Sequence, residues 1–350
     1  MRNIYLIRHG HPAFPIGSRI CLGQTDTPLG PLGHLQGVLL AKTFSEIPLI
    51  AVYTSPLKRA TETAYYISAS PIVKPGLSER ATGLWDGLSF DEIARQWPEI
   101  YEQRGKDPTV TMPGGEDLSH AESRFINAFT DILHGLNGDI AVIAHKGVIE
   151  TFLRTFFKSE LLSKLPYGAY WHLIEEQRAL FLKETTPFIP HPLLDESLCH
   201  TLLETVAPTP VIQHCEAVKT LALEIAEQLP LTLDTSLIEK SALLHDIARS
   251  QPDHARTGAQ WLKYLGYPEV ANIIRQHHDL DSTKIDEASI VYIADKCLKG
   301  TKQVPLQTRF AASRAKCQTT EALSAWNCRW QTTVNLQKTI NSYCRKEIIQ

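Results

Sequence analysis

Three prolines fall within nine residues, at Glu184-Thr-Thr-Pro-Phe-Ile-Pro-His-Pro192, and the pattern of the chain differs on either side of them. Proline fixes φ and removes a backbone donor, so such a stretch suits neither a helix interior nor a central strand. It reads as a stiff, extended linker. One regular core cannot run through it, so two domains are expected, a number that 350 residues accommodates. The expected bounds are 1–184 for the first domain, 185–195 for the linker and 196–350 for the second. A hydrophobic content of 43% gives each half material for a core.

Before the linker, short apolar runs alternate with helical patterns. Ile4–Ile7, Ala51–Tyr53 and Ile140–Ala144 read as buried strands, and Trp171–Ile174 with Ala179–Lys183 reads as a final hairpin. Leu35, Leu39, Leu40 and Phe44 share one helical face, and Pro56 opens a helix running to about Ala69. Further helices lie near Phe90–Gln96 and Glu122–Leu133. That order predicts an α/β domain in three layers, with helices on both faces of a mainly parallel sheet. After the linker glycine thins out and a 3.6-residue period takes over, as in Val211, His214, Val218, Leu221 and Ile225. Helices near 211–229, 236–249, 255–265, 268–278 and 286–298 predict an all-α domain.

Thirty-five Lys and Arg face 38 Asp and Glu, a net charge of -3. That balance argues against a generally basic nucleic-acid binder and against an acidic disordered chain. No stretch approaches 18 uninterrupted apolar residues, and the opening residues reach a charge too soon for a signal peptide. Seven scattered cysteines, an odd number without a C-x-x-C pair, are expected to be reduced thiols. A cytoplasmic protein is expected, with no nucleic-acid or membrane partner and its oligomeric state left open. The last fifty residues carry eight Lys or Arg against two Glu. They form either a solvated helix face or a basic rim that attracts phosphorylated substrates.

Arg8-His9-Gly10 ends the first strand and His145 ends a later one. Ligands of open α/β sheets bind outside such strand ends, so two histidines 136 positions apart could share a crevice. Arg8 offers a planar fork to phosphate oxygens, Gly10 permits close backbone approach, and Arg59 brings a second guanidinium to the same rim. Glu79 is a candidate proton donor. Six blocks in order, Leu6-Ile-Arg-His-Gly10, Gly23-Gln-Thr-Asp-Thr-Pro-Leu29, Ser55-Pro-Leu-Lys-Arg59 with Thr63-Ala64, Leu77-Ser-Glu79 with Gly83, Pro113-Gly-Gly-Glu116 and His145-Lys-Gly147, resemble the histidine phosphatase (phosphoglycerate-mutase-like) superfamily. The resemblance covers about residues 1–180. It implies that His9 is the nucleophile and that Arg8, Arg59 and His145 hold the transferring phosphoryl group, with Gly10 and Gln24 also at the substrate. Glu79 would protonate the leaving alcohol and then deprotonate water. No cofactor is expected in this domain. His11-Pro-Ala-Phe-Pro15 follows where many relatives carry Asn or Thr, and the long insertion of the glycolytic mutases is missing. Phosphatase chemistry is the expectation.

In the second domain His214 shares a helical stripe with Val218, Leu221 and Ile225, and Asp295 shares one with Val291 and Leu298. A carboxylate on an apolar stripe is costly unless something compensates its charge, and a metal ion would. Imidazoles combined with carboxylates suit divalent Fe, Mn or Zn. The order His214, His245-Asp246, His254, His277-His278, Asp295 resembles the HD phosphohydrolase superfamily over about residues 200–300, most specifically in Leu243-Leu-His-Asp-Ile-Ala248 and Val291-Tyr-Ile-Ala-Asp-Lys296. The resemblance implies a first metal on His214, His245, Asp246 and Asp295. It implies a second on His254 and His277, with Asp246 bridging. His278 stands as an alternative to its neighbour.

The expected whole is a bifunctional phosphohydrolase. A metal-free phosphatase of small phosphomonoesters would precede a metal-dependent hydrolase of a nucleotide or dinucleoside polyphosphate. Two alternatives stand beside it. In one, a single α-ribazole phosphatase-like enzyme carries the second half as a nucleotide-binding module. In the other, the protein is a non-enzymatic nucleotide sensor.

Overall fold

The computed structural model describes residues 1–135, 137–157, 163–282, 284–344 and 349. The chain divides into two compact units, residues 1–192 and 193–350.

The first unit contains the strands β1 (Arg2–Arg8), β2 (Ala51–Thr54), β3 (Ile72–Val73), β4 (Ile140–Ala144), β5 (Tyr170–Glu176) and β6 (Ala179–Leu182). They form one sheet in the order β3-β2-β4-β1-β5-β6. The four strands from β3 to β1 run parallel, and the closing hairpin of β5 and β6 runs antiparallel. The helices are α1 (Pro31–Phe44), α2 (Lys58–Ile67), α3 (Phe90–Gln96), α4 (Pro98–Lys106), α5 (Leu118–His134) and α6 (Lys146–Phe157).

Strand side chains alternate between faces, and here each face feeds its own core. Ile4, Leu6, Ile140 and Val142 pack with Phe125 and Phe129 of α5 and Phe152 of α6. Tyr5, Ile7, Ala141 and Ile143 pack with Leu40 and Phe44 of α1 and Ala60 and Ala64 of α2. This is the three-layer α/β arrangement that the alternation predicts. The β5–β6 turn is made by Gln177 and Arg178, both at positive φ (48° and 65°), the conformation that closes a two-residue hairpin. Part of the proline-rich segment is docked on this sheet. Phe188 exchanges two backbone hydrogen bonds with Tyr170 and its ring stacks on the tyrosine at 5.4 Å.

The second unit is helical: α7 (Glu196–Val206), α8 (Thr209–Glu227), α9 (Thr235–Leu244), α10 (His254–Tyr264), α11 (Pro268–Arg275), α12 (Glu287–Lys296), α13 (Leu306–Arg314) and α14 (Thr320–Tyr343). Its core gathers Val218 and Ile225 of α8, Ile238 of α9, Ile273 of α11, Ile290 and Val291 of α12, and Leu336 and Ile340 of α14. Two helices stop earlier than their periodicity predicts. After α9, and again after α11, the backbone tightens into i→i+3 turns, such as Ile247 N–H to the Leu244 carbonyl and His277 N–H to the Ile274 carbonyl. A small hairpin, β7 (Leu298–Lys299) with β8 (Lys302–Gln303), follows α12. Among the described residues, no helix is long and apolar enough to cross a membrane.

Candidate functional site

Adjacent parallel strands explain the first cluster. Arg8 of β1 lies in register with Ala144 of β4, so the residues that follow, His9 and His145, leave neighbouring strands at the same level. Their ring centroids are 5.0 Å apart and both are buried, His145 completely. The His9 Nδ1 lies 2.7 Å from the Gly10 carbonyl, which only an Nδ1–H can satisfy, so Nε2 carries the lone pair. Burial lowers the His9 pKa well below the usual histidine range, and His145, Arg59 and Arg8 push it the same way. The ring is therefore neutral at pH 7.

Arg59, 1% exposed, donates from Nη1 to the Thr25 carbonyl (2.7 Å) and from Nη2 to that of Gly23 (2.8 Å). That loop is pinned in turn by Asp86, whose carboxylate accepts the N–H groups of Gly23, Gln24 and Thr25. Arg8 donates to the Leu165 carbonyl and lies over the Tyr167 ring, 3.4 Å from its centroid. The His145 Nε2 is 2.8 Å from the Ser55 hydroxyl. At this centre the donors Arg8 Nε and Arg59 Nε remain buried and unpaired, and His145 Nδ1 also lacks a partner.

Glu79 sits at the N-terminus of α6, where free helix N–H groups favour an anion. Its Oε2 accepts from Gly147 N–H (2.9 Å), and its Oε1 from Val148 (3.2 Å) and Arg80 (2.9 Å). A cavity of about 670 Å³ opens beside it, lined by Trp85, Phe90, Tyr101 and Met112 together with Arg19, Arg80 and Arg104.

Two expected substrate contacts are otherwise engaged. Gly10 donates its N–H to the Thr63 hydroxyl, and a Cβ there would meet the Gly33 carbonyl at 2.8 Å. Its smallness therefore serves the packing of α1 against the loop. Gln24 donates its amide to the Glu79 carbonyl at 2.6 Å, so it braces the Glu79 loop. Ser55 and Thr63 lie within one of the matched blocks, whereas Tyr167 and Asp86 join the cluster from outside them. They are common residue types that only the folded backbone brings into place.

In the second unit His214, His245 and Asp295 converge, and so do His254, His277 and His278. Both neighbouring histidines, 277 and 278, lie against His254, at 3.4 and 2.9 Å between Nε2 atoms. Both of the expected alternatives therefore lie within reach of His254. Asp246 lies between the groups: its Oδ1 is 3.1 Å from His254 Nε2 and 3.6 Å from His277 Nε2, and its Oδ2 is 3.8 Å from His245 Nε2. Burial raises the Asp246 pKa, but His245 and the contact with His254 outweigh it and hold the carboxyl below its ordinary range.

The donor set fits a metal. His214, His245 and His277 each spend Nδ1–H on a backbone carbonyl, those of Gly300 (2.8 Å), Ala242 (2.7 Å) and Ile274 (2.5 Å). Each therefore turns an Nε2 lone pair inward. The His245 Nε2 is buried without a hydrogen-bond partner, a costly state that a cation relieves. His254 opens α10 directly after Asp253, whose left-handed backbone (φ 46°) makes the turn. The cluster borders a cavity of about 910 Å³ whose lining includes Arg309, Lys316 and Arg329 from the basic last fifty residues.

A model of the histidine phosphatase superfamily (branch 1) matches residues 4–169, and a model of the HD domain matches residues 211–300. A metal-independent phosphoserine phosphatase of Arabidopsis thaliana is 30% identical over 171 residues, 46% of this chain and 71% of its own. This chain belongs to the histidine phosphatase superfamily. Phosphoglycerate mutase-like protein 4 of the same plant is 33% identical over 157 residues, covering 42% of this chain and 68% of its own. Among solved structures, a mycobacterial glucosyl-3-phosphoglycerate phosphatase complexed with VO3 is 23% identical, covering 52% of this chain and 98% of its own, with a TM-score of 0.48. The histidine phosphatase unit and the HD domain together make the chain a phosphoric ester hydrolase, and both families act on small phosphorylated substrates. HD domains are generally metal-dependent, and the candidate ligands lie within or against the matched HD segment.

Proposed function

We propose that the chain is a bifunctional phosphohydrolase. In the histidine phosphatase unit, the His9 Nε2 lone pair attacks phosphorus and forms an N–P bond as the P–O bond to the alcohol breaks. Glu79 gives the leaving oxygen its proton. Water then attacks phosphorus, returns a proton to Glu79 and releases phosphate from His9. Arg8, Arg59 and His145 stabilise the charge on the equatorial oxygens. The observation that carries this reading is the orientation of His9, neutral and with Nδ1 already spoken for. The aromatic lining of the cavity beside Glu79 favours an ester whose alcohol has a bulky, partly aromatic body over phosphoserine. Full-length protein should hydrolyse an aryl phosphate in the presence of chelator, and His9→Ala should lower that rate at least about a thousandfold. Undiminished turnover in the variant would refute the nucleophile.

For the HD domain the proposal is hydrolysis of a nucleotide or dinucleoside polyphosphate. His214, His245 and Asp295 would hold one divalent transition-metal ion, His254, His277 and His278 a second, with Asp246 shared. Such ions, when bound, make water acidic and neutralise phosphate charge. The chain's own contribution is to fix the imidazoles through backbone carbonyls and to keep Asp246 ionised. With the His9→Ala protein, diadenosine tetraphosphate should be turned over. Turnover of deoxynucleoside monophosphates alone would move the assignment to a nucleotidase.

A further inference from the structure

The segment beyond the HD match builds one wall of the second cavity. Helices α13 and α14 are tied into a hairpin by an aromatic cluster: Phe310 meets Trp326 at 5.9 Å and Trp330 at 5.0 Å between ring centroids. The Trp326 Nε1–H is shared between the Phe310 carbonyl (3.1 Å) and the Ser313 hydroxyl (3.0 Å), which fixes the ring against α13. This stiff hairpin presents Arg309, Lys316 and Arg329 to the cavity. Arg249, Lys296 and Lys299 line the same space, against carboxylates only from Asp246 and Asp295.

The cations are not equivalent. Lys296 is spent on Asp295 (2.7 Å), Arg329 on Asp279 (2.6 Å), and Arg249 lies 3.7 Å from Asp246. Among the described residues Lys299, Arg309 and Lys316 make no ion pair. Two unpaired cations on this wall, Arg309 and Lys316, with Lys299 of β7 also lining the cavity, exceed what a single phosphate at the metal cluster needs. The volume of about 910 Å³ is near the top of the roughly 300–1,000 Å³ of small-molecule sites. We propose that the α13–α14 hairpin is a phosphate-chain recognition arm: Arg309 and Lys316 bind phosphates beyond the one at the cluster, so the site selects nucleoside triphosphate-like chains over monophosphates. The inference deepens the polyphosphate reading of the HD domain and rests on it.

The test is calorimetric titration of full-length protein, manganese-loaded and separately chelator-stripped, with a methylene-bridged nucleoside triphosphate analogue and with the nucleoside monophosphate. The wild type should prefer the triphosphate analogue. The double variant Arg309→Gln with Lys316→Gln should reduce that preference about tenfold, as expected for two exposed charge contacts, and should leave the monophosphate Kd within about twofold. Arg309→Lys with Lys316→Arg should restore it, which separates lost charge from lost folding. The preference should also weaken with rising salt. An undiminished preference in the Gln variant, or no rescue by the charge-preserving pair, overturns the proposal. Should manganese fail to bind while the preference persists and falls with the Gln pair, the arm stands and the metal reading fails.

Discussion

The Glu79 carboxylate accepts three backbone N–H groups and, among the described residues, no side-chain donor, so its position is set by the fold around it. A Gln there keeps the size and loses the transferable proton. Glu79→Gln should cut kcat on alkyl phosphates by about a hundredfold and on activated aryl phosphates by less than about tenfold, because a stabilised phenolate leaves unaided. Equal losses on both would make the residue structural. The buried histidines give a second test. Burial lowers the pKa of both His9 and His145 well below the ordinary value, the neighbouring cations adding to the effect. The unfolded chain takes up protons near pH 6.5 and the folded chain does not. Their contribution to stability is thus intact above that pH and erodes as pH falls through it, by up to about 1.4 kcal/mol per pH unit for each histidine. Urea unfolding between pH 7.5 and 5.5 should show this, with a shallower slope in His145→Gln. The meeting of His9 with His145 was legible in the sequence because each directly follows a segment that reads as a buried strand. The support from Asp86 and Tyr167 was not, since nothing in their local patterns distinguishes them from ordinary loop residues.

At the scale of elements, α6 and the Glu79 loop meet at a contact where an added side chain would displace the carboxylate. A Cβ on Gly147 would stand 2.5 Å from Glu79 Oε1. Gly147→Ala should leave the melting temperature within a few degrees, since α6 gains a better helix former, while phosphatase kcat drops about tenfold or more as the carboxylate is displaced. Unchanged kinetics on an alkyl phosphate would mean that the carboxylate position is immaterial. The long elements were readable: β1, β4 and α8 carry unbroken apolar patterns. Short or atypical ones escaped. β3 is two exposed residues, and the Gln177-Arg178 turn lacks the Gly or Asn that usually signals its geometry. The early ends of α9 and α11 were hidden because their apolar period continues into His245-Asp246 and His277-His278, where the backbone turns to aim the imidazoles.

Across the whole molecule the two proposed chemistries call for different tests. Metal analysis of the full-length protein should find about two transition-metal ions per chain. His245→Ala with Asp246→Ala should lose most of that metal, while aryl phosphatase activity of the first unit stays within about twofold. A wild type that binds no added Fe, Mn or Zn would refute the two-metal proposal. The order of synthesis has its own consequence for the first unit. Its earliest strand, β1, is an interior one, hydrogen-bonded to β4 on one side and β5 on the other. During synthesis β1 is made before its partners, and the paired residues of the nearer one, β4, lie 136 positions later. At typical translation speeds the interval is on the order of ten seconds, during which an apolar strand with two open edges has no partner of its own. The sheet of this unit therefore cannot close around β1 until β4 has been made, so its folding must wait on elongation.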